Sequence, residues 1–186
     1  MNQFTIRNAT LADREQIEEL IQLSARKLSV GYYNKEEIEA AIASVFGVDT
    51  RLIEDGTYFI AEIPGDICGC GGWSKRKTLF GGDQFAKRDA ALLDPDSEPA
   101  KIRAFFIHPD FARKGIGRAI LARCETEARR TGFRASELMS TLPGVEFYER
   151  CGYVAGTPVS FQAEGVPLKF VPMRKSLFEK QPRSMD

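Results

Sequence analysis

The sequence is poor in several things that would direct it to a familiar class. It has no net charge: 26 lysines and arginines balance 26 aspartates and glutamates. A global preference for nucleic acid or for an anionic membrane surface is therefore excluded. Histidine occurs once, at His108, and cysteine four times, at Cys68, Cys70, Cys124 and Cys151. A C-x-C pair followed by two isolated cysteines fits no common zinc spacing, so no metal site is expected. No apolar run approaches the roughly 18 residues of a membrane span. The opening "MNQFTIRNATLADREQ" lacks the apolar stretch of a secretory signal, which also argues against a disulfide framework. These absences predict a cytoplasmic protein with reduced, buried thiols, as a monomer or a homodimer, without nucleic-acid or membrane partners.

The 186 residues suit one domain and suffice to bury a self-supporting core. No repeat and no linker divides the chain. Residues 1–178 are expected to form the domain and 179–186 a frayed tail, with Phe178 able to dock. "FTIRNAT" reads as a strand that runs into a cap, Thr10 with Asp13. Ile17, Leu20, Ile21, Ser24 and Leu28 then share one helical face, and Gly31 ends it. Asn34 and Glu37 cap a second helix with Ile38, Ala41, Ile42 and Val45 inward. Two strands flank the turn Pro64-Gly65-Asp66, with Cys68 and Cys70 on one face of the second. Lys75–Ala100 is too long for a plain connection, and is expected to be a functional loop or an ordered excursion. The strand "KIRAFFI", a helix with Ile116, Ala119, Ile120, Cys124 and Ala128 inward, the strand "FRASELMST" and the short helix "GVEFYERC" follow. Two last strands turn near Glu164-Gly165. The order is β-α-α-β-β-β-α-β-α-β-β, an α/β chain.

The densest chemistry lies in "FFIHPDFARKGIGRAI", residues 105–120. Helix starts leave N–H groups unpaired and carry partial positive charge. Gly115 and Gly117 let an anion approach that backbone, and Arg113, Lys114 and Arg118 surround it with charge. The physical reading is a pyrophosphate seat; a strand-to-helix turn with solvated cations is the plain alternative. A P-loop pattern is absent. A dinucleotide fingerprint would need glycine or alanine where Ile120 stands, although Glu137 lies near the distance expected of a ribose-binding acid.

The stretch from Phe105 to Leu121 resembles the acetyl-CoA-binding motif of the GNAT superfamily of N-acyltransferases. Ile107, His108 and Pro109 match the end of the family's strand. Ala112-Arg113-Lys114-Gly115-Ile116-Gly117 matches its [Q/R]-x-x-G-x-[G/A] turn, with Ala112 in place of the usual polar residue. "GVEFYERCGY" resembles the family's later motif, and the element order agrees from about Phe4 to Lys175. The resemblance implies a single domain with a mixed central β-sheet and helices on both faces. It implies acetyl-CoA as cosubstrate, held by Phe106, Ile107, Arg113, Lys114, Gly115, Ile116, Gly117 and Arg118, and direct acetyl transfer to an amine.

In that reading the Ile107 N–H, from the distorted Phe105–Ile107 stretch, stabilises the thioester oxygen. Tyr148 protonates the leaving thiolate, since a phenol has a reference pKa of about 10 and a thiol about 8.5. Lys101 stands where some relatives place a basic glutamate, so that role does not carry over; Glu98 and His108 are the remaining candidates, with ordered water as the third. Tyr32, Tyr33 and Trp73 are expected near the acceptor, where aromatic and acidic groups would hold a cationic amine, or else to seal the core. A small-molecule amine is favoured over a protein acceptor. A non-catalytic acyl-CoA sensor and a nicotinamide-dependent oxidoreductase are the alternatives.

Overall fold

The computed structural model describes residues 4–178; the expected 179–186 tail lies outside them. The chain forms β1 (Thr5–Asn8), α1 (Arg14–Leu28), α2 (Lys35–Ser44) and α3 (Thr50–Glu54). Next come β2 (Tyr58–Ile63), β3 (Asp66–Ser74), β4 (Ala100–Ile107), α4 (Ile116–Arg130) and β5 (Ala135–Thr141). α5 (Val145–Arg150), β6 (Val154–Ala155), β7 (Val159–Ala163) and β8 (Val166–Ser176) complete it. One sheet runs β1-β2-β3-β4-β5-β8, with β6 and β7 both on the far edge of β8. Among the described strands only the β4–β5 pair is parallel.

The local signals act as their chemistry requires. The Asn34 side chain accepts from the Glu37 N–H while the Glu37 carboxylate accepts from the Asn34 N–H, closing the cap of α2. Asp13 accepts from Thr10 and from both terminal nitrogens of Arg7, and the Arg7 guanidinium holds its carboxyl well below the usual range. On α1, Ile17, Leu20, Ile21 and Ser24 are buried as the spacing requires, whereas Leu28 is exposed and Ala25 takes the inward place. α1 and α2 cover one face of the sheet over Ile60, Cys70, Phe106 and Phe170; α4 and α5 cover the other over Phe59, Cys68, Ile102 and Leu138.

Several expectations are corrected. Cys68 and Cys70 lie on opposite faces. Ala61 pairs with Gly69 and Glu62 with Ile67, so Cys68 is the extra residue of a β-bulge and the alternation slips by one. The expected strand "GYVAGTPVSF", residues 152–161, is interrupted at Gly156-Thr157-Pro158 into β6 and β7, because Pro158 cannot donate to the ladder. α3 was not expected. Phe178 is 55% exposed and Leu177 docks instead, at 3%.

Candidate functional site

The site arises from a failure of strand pairing. β4 and β5 pair only at Ala100–Ser136 and Lys101–Glu137. Beyond that point the two strands no longer pair with each other, while β4 stays on β3 and β5 on β8, and the sheet opens into a wedge. The cause lies within β4. Ala104 has φ +52, a left-handed conformation that non-glycine residues rarely adopt, and the β3–β4 register slips between Cys70 and Gly72. The slip turns the Phe105 ring onto β3 where Gly71 has no side chain; a Cβ there would sit 2.4 Å from the ring. A cavity of about 510 Å³ fills the wedge and is lined from both faces of the sheet.

On the α4 face the lining includes Phe111, Arg113, Gly115, Gly117, Arg118 and Phe147. Gly115 caps α4 with φ +83 and Arg113 has φ +66, so the chain curls at the helix start. The first donor with a backbone partner is Ala119, to the Gly115 carbonyl at 3.0 Å. Among the described residues no N–H from Arg113 to Arg118 has a protein acceptor, and no side chain caps the helix. Arg113, Lys114 and Arg118 form no ion pair among those residues. An open concavity of donors at a helix N-terminus, with Arg113 and Arg118 in its lining and Lys114 nearby over the Phe111 ring at 4.9 Å, suits an anion with several oxygens. A Cβ on Gly117 would point at the Phe147 ring, 3.2 Å away, and narrow the mouth of the cavity.

At the base of the wedge, the His108 N–H donates to the Cys68 carbonyl at 3.0 Å. Successive N–H groups on an antiparallel strand alternate in direction, so the Ile107 N–H faces away from β3, toward the opening. Tyr148 stands opposite on α5, its ring edge-on to Phe105, Phe147 and Tyr153 at centroid distances of 6.3, 4.9 and 5.6 Å. Gly144 lies one turn before it; a Cβ there would come within 3.4 Å of the ring. The Tyr148 side chain lines the cavity and is buried, and its hydroxyl has no partner among the described residues. Burial pushes its phenol well above the usual tyrosine range, with the nearby Cys124 and Cys151 thiols adding to the effect. The proton is thus held more tightly than reference values suggest.

The remaining candidates separate. The His108 ring accepts from the Asp110 N–H at 3.2 Å and packs on Phe111, outside the cavity lining. Glu98 caps its own turn by accepting from the Asp94 N–H at 2.8 Å. Lys101 is buried against Glu137, which occupies the acid that a dinucleotide reading would need. Trp73 is 3% exposed and packs edge-on to Phe133, so it belongs to the core. Tyr32 is exposed. Tyr33 is a strut: its hydroxyl donates to the Lys169 carbonyl at 2.5 Å and accepts from the Leu142 N–H at 3.0 Å, and burial lifts its phenol to about 12.

Other contributors carry no motif. Lys75–Ala100 is an ordered excursion: Gly82 and Asp83 donate to the Val45 and Val48 carbonyls at 2.8 Å, and Leu79–Gly82 reaches the cavity wall. Arg103, next to the Ala104 bulge, sits 2.7 Å from Asp49; their side chains are 2% and 0% exposed. Arg88 of the excursion reaches the same aspartate at 2.5 Å. Arg103 also donates to the Gly81 carbonyl at 2.6 Å, tying excursion to strand. Sequence spacing offers no signal for such long-range pairs.

Residues 17–153 match the sequence profile of the acetyltransferase (GNAT) family. An uncharacterized N-acetyltransferase of Methanocaldococcus jannaschii is 28% identical over 155 residues, which cover 81% of this chain and 60% of that protein. The chain thus spans about 60% of the curated relative it matches. Among solved structures, a GCN5-related N-acetyltransferase of Rhodopseudomonas palustris superposes with a TM-score of 0.71 at 20% identity, covering 95% of this chain and 97% of that one. YncA of Salmonella typhimurium, a putative acetyltransferase solved with acetyl-CoA, gives 0.61 at 18% identity, covering 98% and 99%. At these identities the structural likeness speaks for the fold.

Proposed function

Because the chain belongs to the acetyltransferase (GNAT) family, we propose that it moves an acetyl group from acetyl-CoA directly to the amine of a small molecule. The observation that carries this reading is the run of unpartnered N–H groups from Arg113 to Arg118, opening onto a wedge that passes between β4 and β5. The run suits a pyrophosphate, with Arg113, Lys114 and Arg118 offsetting its charge. Phe106 and Ile107 flank the path toward the wedge. The Ile107 N–H, aimed into the opening, donates to the thioester oxygen as it gains charge. The amine nitrogen bonds to the carbonyl carbon, the carbon–sulfur bond breaks, and Tyr148 gives its proton to the sulfur. Burial holds the phenol proton more tightly than in a reference tyrosine, and desolvation of the departing thiolate raises its own demand for that proton. The nitrogen loses its proton to water, since neither His108 nor Glu98 lines the cavity, and the Tyr148 phenolate regains one from water. A cytoplasmic setting suits the four free cysteines.

The test is free-thiol release from acetyl-CoA across a panel of small amines, with the acetylated product identified by mass. Release that depends on amine supports transfer. Binding of acetyl-CoA with no release from any amine would favour the sensor. A thermal shift with NADH and none with CoA would favour the oxidoreductase.

A further inference from the structure

The two ends of the wedge differ in chemistry. The α4 face presents cations and open N–H groups. On the α1 face the lining comes from Ala25, Leu28, Phe46, Phe80, Phe106 and Phe170. Three of these rings form a chain: Phe46 stands edge-on to Phe106 at 5.6 Å and to Phe170 at 6.4 Å. Phe80 of the excursion closes the wall at 5.7 Å from Phe170. The polar residues on this side are Ser24, Ser29, Ser140, Thr141 and Arg103, the last with its guanidinium committed to Asp49 and the Gly81 carbonyl.

Among the described residues that line the cavity, the carboxylate is Glu146, which is on α5, on the opposite face, and paired with Arg150. No acid and no histidine stands on the α1 face of the lining. A cationic amine entering here would lose its water and gain no counter-charge, since Arg103 is already paired with the buried Asp49. A saturated amine with a pKa of about 10.4 is neutral in only roughly one molecule in a thousand at pH 7.5. The acidic groups expected to hold a cationic acceptor are absent from this face of the lining among the described residues.

Resting on the acetyl-transfer reading above, we propose that the acceptor is an aromatic amine, its nitrogen bonded to the ring and neutral at physiological pH. Delocalisation of the lone pair into the ring keeps such a nitrogen unprotonated, so the site needs no base before attack. The ring fits against Phe46, Phe80, Phe106 and Phe170, where edge-on and offset contacts are favourable. The amine nitrogen attacks the thioester carbon, and the tetrahedral intermediate releases the thiol with the Tyr148 proton. The added nitrogen then sheds one proton to water and the Tyr148 phenolate takes one back from water, leaving an anilide and CoA thiol.

The experiment compares 4-methylaniline with 2-phenylethylamine, spermidine and a lysine peptide, each with acetyl-CoA, reading thiol release from pH 6.5 to 8.5. CoA binding is followed separately by thermal shift. The expected result is a kcat/KM for 4-methylaniline at least tenfold above every saturated amine. Its dependence on amine protonation should be flat, whereas a saturated amine gains about tenfold per pH unit. Phe80→Leu should raise the KM for 4-methylaniline several-fold and leave the CoA shift unchanged. Preference for spermidine or the lysine peptide, or no turnover of 4-methylaniline by a protein that binds CoA, would overturn the acceptor class alone. Absence of any CoA shift would overturn the underlying transfer reading as well.

Discussion

Replacing Tyr148 by phenylalanine removes one oxygen and keeps the ring. The ring is held by Phe105, Phe147 and Tyr153 at 4.9–6.3 Å between centroids, and those contacts survive. The hydroxyl has no protein partner among the described residues, so its loss breaks no hydrogen bond, and stability should change by less than about 1 kcal/mol. Loss of a general acid lowers the rate by about 10²–10⁴, equal to about 2.7–5.5 kcal/mol of barrier. The two effects are well separated, which makes the variant informative. The assay is kcat from thiol release under conditions where chemistry limits turnover, beside the melting temperature and the CoA-induced shift. A low kcat with both other quantities unchanged is expected. Wild-type kcat would remove Tyr148 from the mechanism.

Arg103→Met should cost about 3–5 kcal/mol by leaving the fully buried Asp49 short of a partner. Calorimetry should then show a melting temperature lower by roughly 6–20 °C, partly recovered by adding Asp49→Asn. Tyr33, Tyr58, Tyr148 and Tyr153 all have raised phenol pKa values, with burial as the main cause. Above about pH 10 the unfolded chain releases protons that the native state keeps, so stability should fall with rising pH, by about 1.4 kcal/mol per unit for each group. Urea titrations between pH 9 and 11 read this slope, and Tyr148→Phe should make it shallower.

What was legible in the sequence was local. The caps at Thr10 and Asn34, the inward faces of α1, α2 and α4, and the glycine turn at Gly115 are set by neighbours within four residues. The element order follows from them, and the family resemblance carried it to a sheet. The features that failed to show are the ones set by distant strands. The bulge at Cys68 depends on how β2 meets β3, and the one at Ala104 on how β3 meets β4; neither residue type announces it. The same holds for Trp73, whose aromatic ring fits a core as well as a cleft. Asp49 and Arg103 lie 54 positions apart and meet only once α3, β4 and the excursion have packed. The proposed acceptor wall draws on α1, the segment after α2, the excursion, β4 and β8, so no motif could expose its lack of acids.

The central claim is that acetyl-CoA seats at the start of α4 with its thioester end in the wedge. Acetyl-CoA titration by thermal shift, in the wild type and in Gly117→Val, tests it most directly. At ligand near 100 times Kd the wild type should gain about 2.7 kcal/mol. The valine side chain, directed at the Phe147 ring 3.2 Å from its Cβ, should fill the mouth of the seat and abolish most of that gain. The variant must melt cooperatively without ligand for the comparison to hold. An undiminished shift in Gly117→Val would place the cosubstrate elsewhere and contradict the account.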